Sequence, residues 1–188
     1  AAIDNGARVH ALNNVGVLAE NRDVMNVVGG GLAFGLYVGA AGSVAVNLIS
    51  SETHAYIDGA QVTALAAIDG DLLTVNDGSL ANRPQVIAID RTGEHQASAD
   101  SYASGISFNA LTENTRQVHG LAVNATSTQR VGVAAGSAGF AFNPKGSVGL
   151  AATVNVSEVG GETGAWIRNA QINSDTTGAG AGQTVDVK

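Results

Sequence analysis

This chain repeats itself, and that restricts its fold more than anything else in the sequence. Val27 to Ile57 reads VVGGGLAFGLYVGAAGSVAVNLISSETHAYI, and Val131 to Ile167 reads VGVAAGSAGFAFNPKGSVGLAATVNVSEVGGETGAWI. Each block carries, in order, a Gly/Ala-rich apolar run, G-S-V, V-N, E-T, and an aromatic followed by Ile. Immediately downstream, AYIDGAQVTA (Ala55 to Ala64) matches AWIRNAQINS (Ala165 to Ser174), and IDNGARVHA (Ile3 to Ala11) is a third, weaker copy. The match thus covers residues 27–64 and 131–174. The offset is 108 residues at the V-N pair (Asn47 to Asn155) and 110 at the aromatic (Tyr56 to Trp166). A unit of roughly 110 residues occurs about one and three-quarter times. Repeats of this kind bury their apolar faces against one another, so residues 1–188 are expected to form one segment of a repetitive fold.

Within the unit, the local signal is strand and turn. Alternating apolar residues in AQVTALA, DLLTV, QVIAID and TVNVSEV place one face inward and one outward. Asp58-Gly59, Asp69-Gly70, Asp77-Gly78, Asn5-Gly6, Gly29-Gly30 and Gly160-Gly161 read as turns between short runs. Only Pro84 and Pro144 interrupt backbone pairing, and no stretch carries a helical stripe of large apolar residues. Aromatics make up 4% of the chain, too few to fill a wide sandwich, while small residues suit a thin stacked interior. The expected fold is therefore all-β, a parallel β-helix (β-solenoid). Coils of about 20 residues would give nine of them in a rod about 40–45 Å long. Val46-Asn47, Val75-Asn76, Val123-Asn124 and Val154-Asn155 are candidates for an amide ladder at the bends.

Charge and residue usage exclude several functions. A net charge of −7, with nine scattered Lys and Arg, argues against nucleic acid as a partner. Without cysteine there is no disulfide scaffold, thiolate metal site or cysteine nucleophile. No basic n-region and apolar h-region open the chain, so no signal peptide is expected in it. Val27 to Ile49 is uncharged and as long as a membrane span, with Gly31, Gly35 and Gly39 in a small-xxx-small row. The equivalent run of the second copy holds Asn143, Pro144 and Lys145, which would be costly at bilayer depth. Buried strands are expected there, with no transmembrane span.

The run GGGLAFGLYVGAAGSVAVN with AYIDGAQVTA resembles the long repeats of filamentous-haemagglutinin-like and autotransporter-type adhesins of Gram-negative bacteria. The resemblance extends from Val9 to Ser174 and is weakest between Asn76 and Ala103, where Arg83-Pro84 and Arg91 break the pattern. It implies a right-handed parallel β-helix acting as a structural and adhesive stalk, secreted or held at the cell surface. Neighbouring repeats of the same chain, and a host or cell-surface glycan or protein, would be its partners. It brings no catalytic residues and no cofactor.

The candidate sites are few. Asp69 and Asp71 would share a strand face, the minimum for a polysaccharide lyase or hydrolase, the competing enzymatic reading. No aromatic, Lys or Arg accompanies them between Ala60 and Leu80, so a polar turn is expected. DGDLLTVND lacks the later ligands of a calcium loop, and His10, His54, His95 and His119 show no metal-ligand spacing. G-S-V at Gly42 and Gly146 lacks the second glycine of a nucleophile elbow. No catalytic, cofactor or metal residues are therefore expected. Tyr56 and Trp166 hold the same repeat position, each followed by Ile. With Ile inward both aromatics face outward, either as surface contacts for a sugar or receptor or as cover for the rod.

Overall fold

The computed structural model describes residues 1–81, 88–89, 95–96 and 112–188; Arg83, Pro84, Arg91 and most of QVIAID lie outside them. Among the described residues every regular element is a strand. In chain order these are β1 (Ala2–Ile3), β2 (Arg8–Ala11), β3 (Val15–Gly35), β4 (Val38–Asp58), β5 (Gln61–Ala64), β6 (Leu73–Leu80), β7 (Ala88–Ile89), β8 (His95–Gln96), β9 (Glu113–Val118), β10 (Gly120–Ala141), β11 (Val148–Arg168), β12 (Gln171–Ile172) and β13 (Thr184–Val187).

Nine of these strands form three parallel sheets, ordered β1-β4-β11, β2-β5-β12 and β3-β10-β13. Followed along the chain, the backbone visits the first, second and third sheet in turn, and does so three times. The tiers are β1-β2-β3, β4-β5-β10 and β11-β12-β13. Stacked repeat positions confirm the register, with Ile3 beside Ile57 and Ile57 beside Ile167. Arg8 and Gln171 flank Gln61 in the same way. The third sheet pairs Val15 with Leu121, and the first pairs Val38 with Val148. Residues paired across a sheet point to the same face, so this register sets inward residues beside inward residues from tier to tier.

This spacing corrects the expectation of nine coils of about 20 residues. Tier one and tier two are 54 residues apart at Ile3 and Ile57, and tier two and tier three are 110 apart at Ile57 and Ile167. Two 21-residue strands, β3 and β4, join through a tight bend at Leu36-Tyr37, which makes each tier long. Residues 65–119, lying between β5 and β10, lengthen the second tier further. DLLTV does not join the tiers either. Its second half opens β6, which runs antiparallel to β9, and the pair covers the outside of β10 through Val75, Val118 and Ala122. Arg116 of β9 fastens it with two hydrogen bonds to the Asp186 carboxylate, of 2.7 and 2.9 Å. The short pair β7–β8 is also antiparallel.

Two regions follow from this path. At the base, all three tiers are present, and Val15, Val17, Ala55, Ile57, Val62, Leu121 and Val123 form the core. Beyond it, β3 and β10 in one sheet face β4 and β11 in the other, forming a two-layered arm. Inward positions of the arm carry Gly31, Ala33, Ala41, Ser43 and Gly139. The layers approach until a Cβ on Gly31 would lie 2.6 Å from the Gly42 carbonyl oxygen, and one on Gly139 would strike the carbonyls of Leu150 and Gly39. Backbone therefore faces backbone across the arm, without the layer of side chains that holds stacked sheets roughly 10 Å apart. The same pairing places Gly29-Gly30 and Gly160-Gly161 inside strands rather than turns.

Burial in Val27–Ile49 differs from the sequence expectation. The strands are there, but Val28, Leu32, Phe34, Val44, Val46 and Leu48 point outward, with Leu32 72% exposed. Toward the far end of the arm glycine, alanine and serine take the inner positions, where the layers come closest, while Val27, Asn47 and Ile49 point inward nearer the base. No helix among the described residues is long and apolar enough to cross a membrane.

Candidate functional site

The turn between the first and second sheets opens with a positive-φ residue in all three tiers, and tier one adds one further residue, Gly6, at φ 76°. Asn5, Gly59 and Asn169 each adopt a positive φ (55°, 63° and 50°), a conformation that Asn and Gly tolerate best. Directly before this turn the strands carry three columns of stacked residues. The inward column is Ile3, Ile57 and Ile167, with Ile57 fully buried. Outward columns on either side are Ala2, Tyr56 and Trp166, then Asp4, Asp58 and Arg168. Alternation in the sequence thus puts the aromatics outside, as their pairing with inward Ile requires.

Tyr56 and Trp166 stack with ring centroids 5.0 Å apart and planes inclined by 2°. The 110-residue offset places the residues side by side, and strands about 4.8 Å apart in a sheet supply the stacking distance. His54, one outward position earlier, meets the Trp166 ring edge-on at 5.1 Å, and its Nε2 lies 3.5 Å from Glu162 Oε1. Gly164, opposite His54, leaves room for the indole to lie along the strand. One outward position later, Arg168 donates to Asp58 at 2.5 Å, and Asn169 donates to the same carboxylate at 3.3 Å. The guanidinium holds the Asp58 carboxyl below its ordinary value of 3.8, and the carboxylate raises Arg168 in return. Asn5 Nδ2 donates to the carboxylate of the preceding Asp4, at 3.1 Å.

These side chains enclose a cleft of about 440 Å³, lined by Asp4, Asn5, His54, Tyr56, Asp58, Gly59, Trp166 and Arg168. The cleft offers a flat aromatic platform, carboxylate acceptors and amide and guanidinium donors. Stacking against an apolar ring face with hydrogen bonds at the ring edge is the chemistry this set can perform.

Other sequence candidates fall elsewhere. Asp69 and Asp71 lie in a turn instead of sharing a strand face; Asp71 accepts from Asn13 Nδ2 at 2.6 Å and pins the corner beneath it. His119 Nε2 lies 3.1 Å from the Ile68 carbonyl oxygen, and the His95 side chain is outside the described residues. Among the described residues no three His, Asp or Glu converge as metal ligands would. The Val-Asn pairs sit within strands, so no ladder forms at the bends. Among the described residues members of the set meet in pairs instead: Asn47 Nδ2 donates to Asn155 Oδ1 at 3.2 Å, and Asn124 Nδ2 to the Asn76 backbone carbonyl at 3.0 Å. Asp4, Asn5, Asp58 and Arg168 were not singled out as site residues. Their signal was the repeat itself, in which IDN, IDG and IRN align beside the aromatic column.

No family model, curated protein or solved structure matches the chain.

Proposed function

We propose that this chain is a structural and adhesive stalk segment of a large secreted or cell-surface bacterial adhesin, wound as a right-handed parallel β-helix. What carries this reading is the tiered parallel register, which presents the Tyr56–Trp166 stack and its cleft on the outside of a continuous backbone ladder. Such a ladder is stiff because each tier's N–H and C=O groups pair with those of its neighbours, and a repeated contact surface gains avidity without tight individual sites. Neighbouring repeats of the same chain would pair with the arm along the outer edges of β3 and β11. A glycan array probed with the isolated chain tests the adhesive half of the reading. Retention of a defined set of glycans is expected, and a blank array at high loading overturns it.

One observation favours a second reading, a carbohydrate-active enzyme: Asp4, Asp58 and Arg168 share the cleft with an aromatic platform. Against it, Asp58 is committed to Arg168 and its acidity is strengthened, the opposite of what a proton-donating carboxyl needs. Release of reducing ends or unsaturated products from polysaccharides, abolished by Asp4→Asn, would establish the enzyme.

A further inference from the structure

The aromatic column is incomplete. Trp166 in tier three and Tyr56 in tier two stack on each other, but the register places Ala2 at the same position in tier one. One face of Tyr56 is covered by the indole. The other looks over a methyl group, where a third ring would continue the stack about 4.8 Å away. Asp4 and Asn5, also from tier one, follow Ala2 in the chain and line the adjoining cleft together with Tyr56.

We propose that this missing rung is a binding site for a neutral hexopyranose, deepening the adhesive reading on which it rests. The apolar C–H face of the sugar lies on the Tyr56 ring above Ala2, and its edge hydroxyls donate to the Asp4 carboxylate and accept from the Asn5 amide. Shape and charge select this ligand. Tyr56 and Trp166 are parallel, so they offer a single flat face, whereas quaternary ammonium groups are held by several aromatic faces set at angles around one point. Asp4, added to an Asp58 already balanced by Arg168, makes the cleft net negative and disfavours acidic sugars.

Saturation-transfer NMR and calorimetry on the whole chain would use methyl β-D-glucopyranoside, methyl β-D-galactopyranoside, glucuronate and choline as probes. At least one neutral glycoside is expected to bind with saturation transfer concentrated on its C–H face, and glucuronate and choline to bind more weakly. Ala2→Phe supplies the absent ring from the protein itself. It should weaken glycoside binding about tenfold or more, as loss of a stacking contact does, without lowering the thermal midpoint. Asp4→Asn should weaken binding without removing the ring-face contact. Unchanged affinity in Ala2→Phe, preference for choline, or no glycoside binding at all would overturn the site. Glycan-array retention that survives in Ala2→Phe would locate adhesion elsewhere on the stalk, so the site would fall while the adhesive reading stood.

Discussion

The base and the arm of this molecule are made from the same four long strands, yet they solve opposite packing problems. In the base, inward positions hold Val15, Val17, Ile57, Leu121 and Val123, and the strands close around a core in three tiers. Toward the far end of the arm, the inward positions of those strands hold Gly31, Ala33, Ala41 and Gly139, and the large apolar residues Leu32, Phe34 and Val44 lie outside. Between the two lies a polar waist where Gln129 bonds to Ser51 Oγ and the Gly160 carbonyl, and Asn47 bonds to Asn155 and Ser157. Alternation alone therefore decides only that a strand has two faces. Side-chain volume decides which face the opposing layer can approach.

Substitutions that treat the two regions alike should expose this difference. Ile57→Ala empties a fully buried position and is expected to cost about 2–4 kcal/mol in denaturant unfolding, a loss of the whole three-tiered base. Gly139→Ala is expected to cost about 1–3 kcal/mol, because its new methyl group meets the Leu150 and Gly39 backbone, where no rotamer change can relieve it. Hydrogen exchange should place that loss in the arm, with base amides still protected; equal deprotection of both regions would contradict the division. Leu32→Ser, on the outer arm face, should change stability by no more than about 0.5 kcal/mol. It should also reduce self-association and binding of a hydrophobic dye, since the outer arm is an exposed apolar surface.

The smallest expected effect lies at the tier boundary and depends on pH. Asp58 has a folded-state carboxyl depressed below 3.8 by Arg168, so its contribution is complete above that value and disappears as pH falls through the depressed one. Arg168→Gln should therefore lower the thermal midpoint near neutral pH and converge with the parent chain in acid. A gap that persists at pH 2 would assign the effect to packing of the arginine stem instead of to the ion pair.

Much of this organisation was readable before any coordinates. Aligning AYIDGAQVTA with AWIRNAQINS put Tyr56 beside Trp166 and Ile57 beside Ile167, and IDNGARVHA supplied the third tier, as the pairing shows. The coil length was hidden because residues 65–119 double one of the two intervals, so a tier spacing of 54 residues registered as a repeat near 110. Exposure of Leu32 and Val44 was hidden for a different reason. A strand with Gly on one face and Leu on the other reads as a core strand with Leu inside, and only the facing layer reverses it. The cleft needed three tiers in register, because Asp4 and Arg168 are far apart in sequence and close only across the stack.

The corner joining the second sheet to the third has a wider consequence. Tier one crosses it with residues 12–14, tier three with residues 173–183 and tier two with residues 65–119, and β3, β10 and β13 still pair without losing step. Small local clasps hold it, among them Asn14 accepting from the Gly120 amide at 2.7 Å and Gln183 donating to the Ala64 carbonyl at 2.6 Å. Neither depends on how much polypeptide leaves and returns between them. Such a corner is a port: it takes in inserts of very different length while the stacked strands on either side of it keep their pairing.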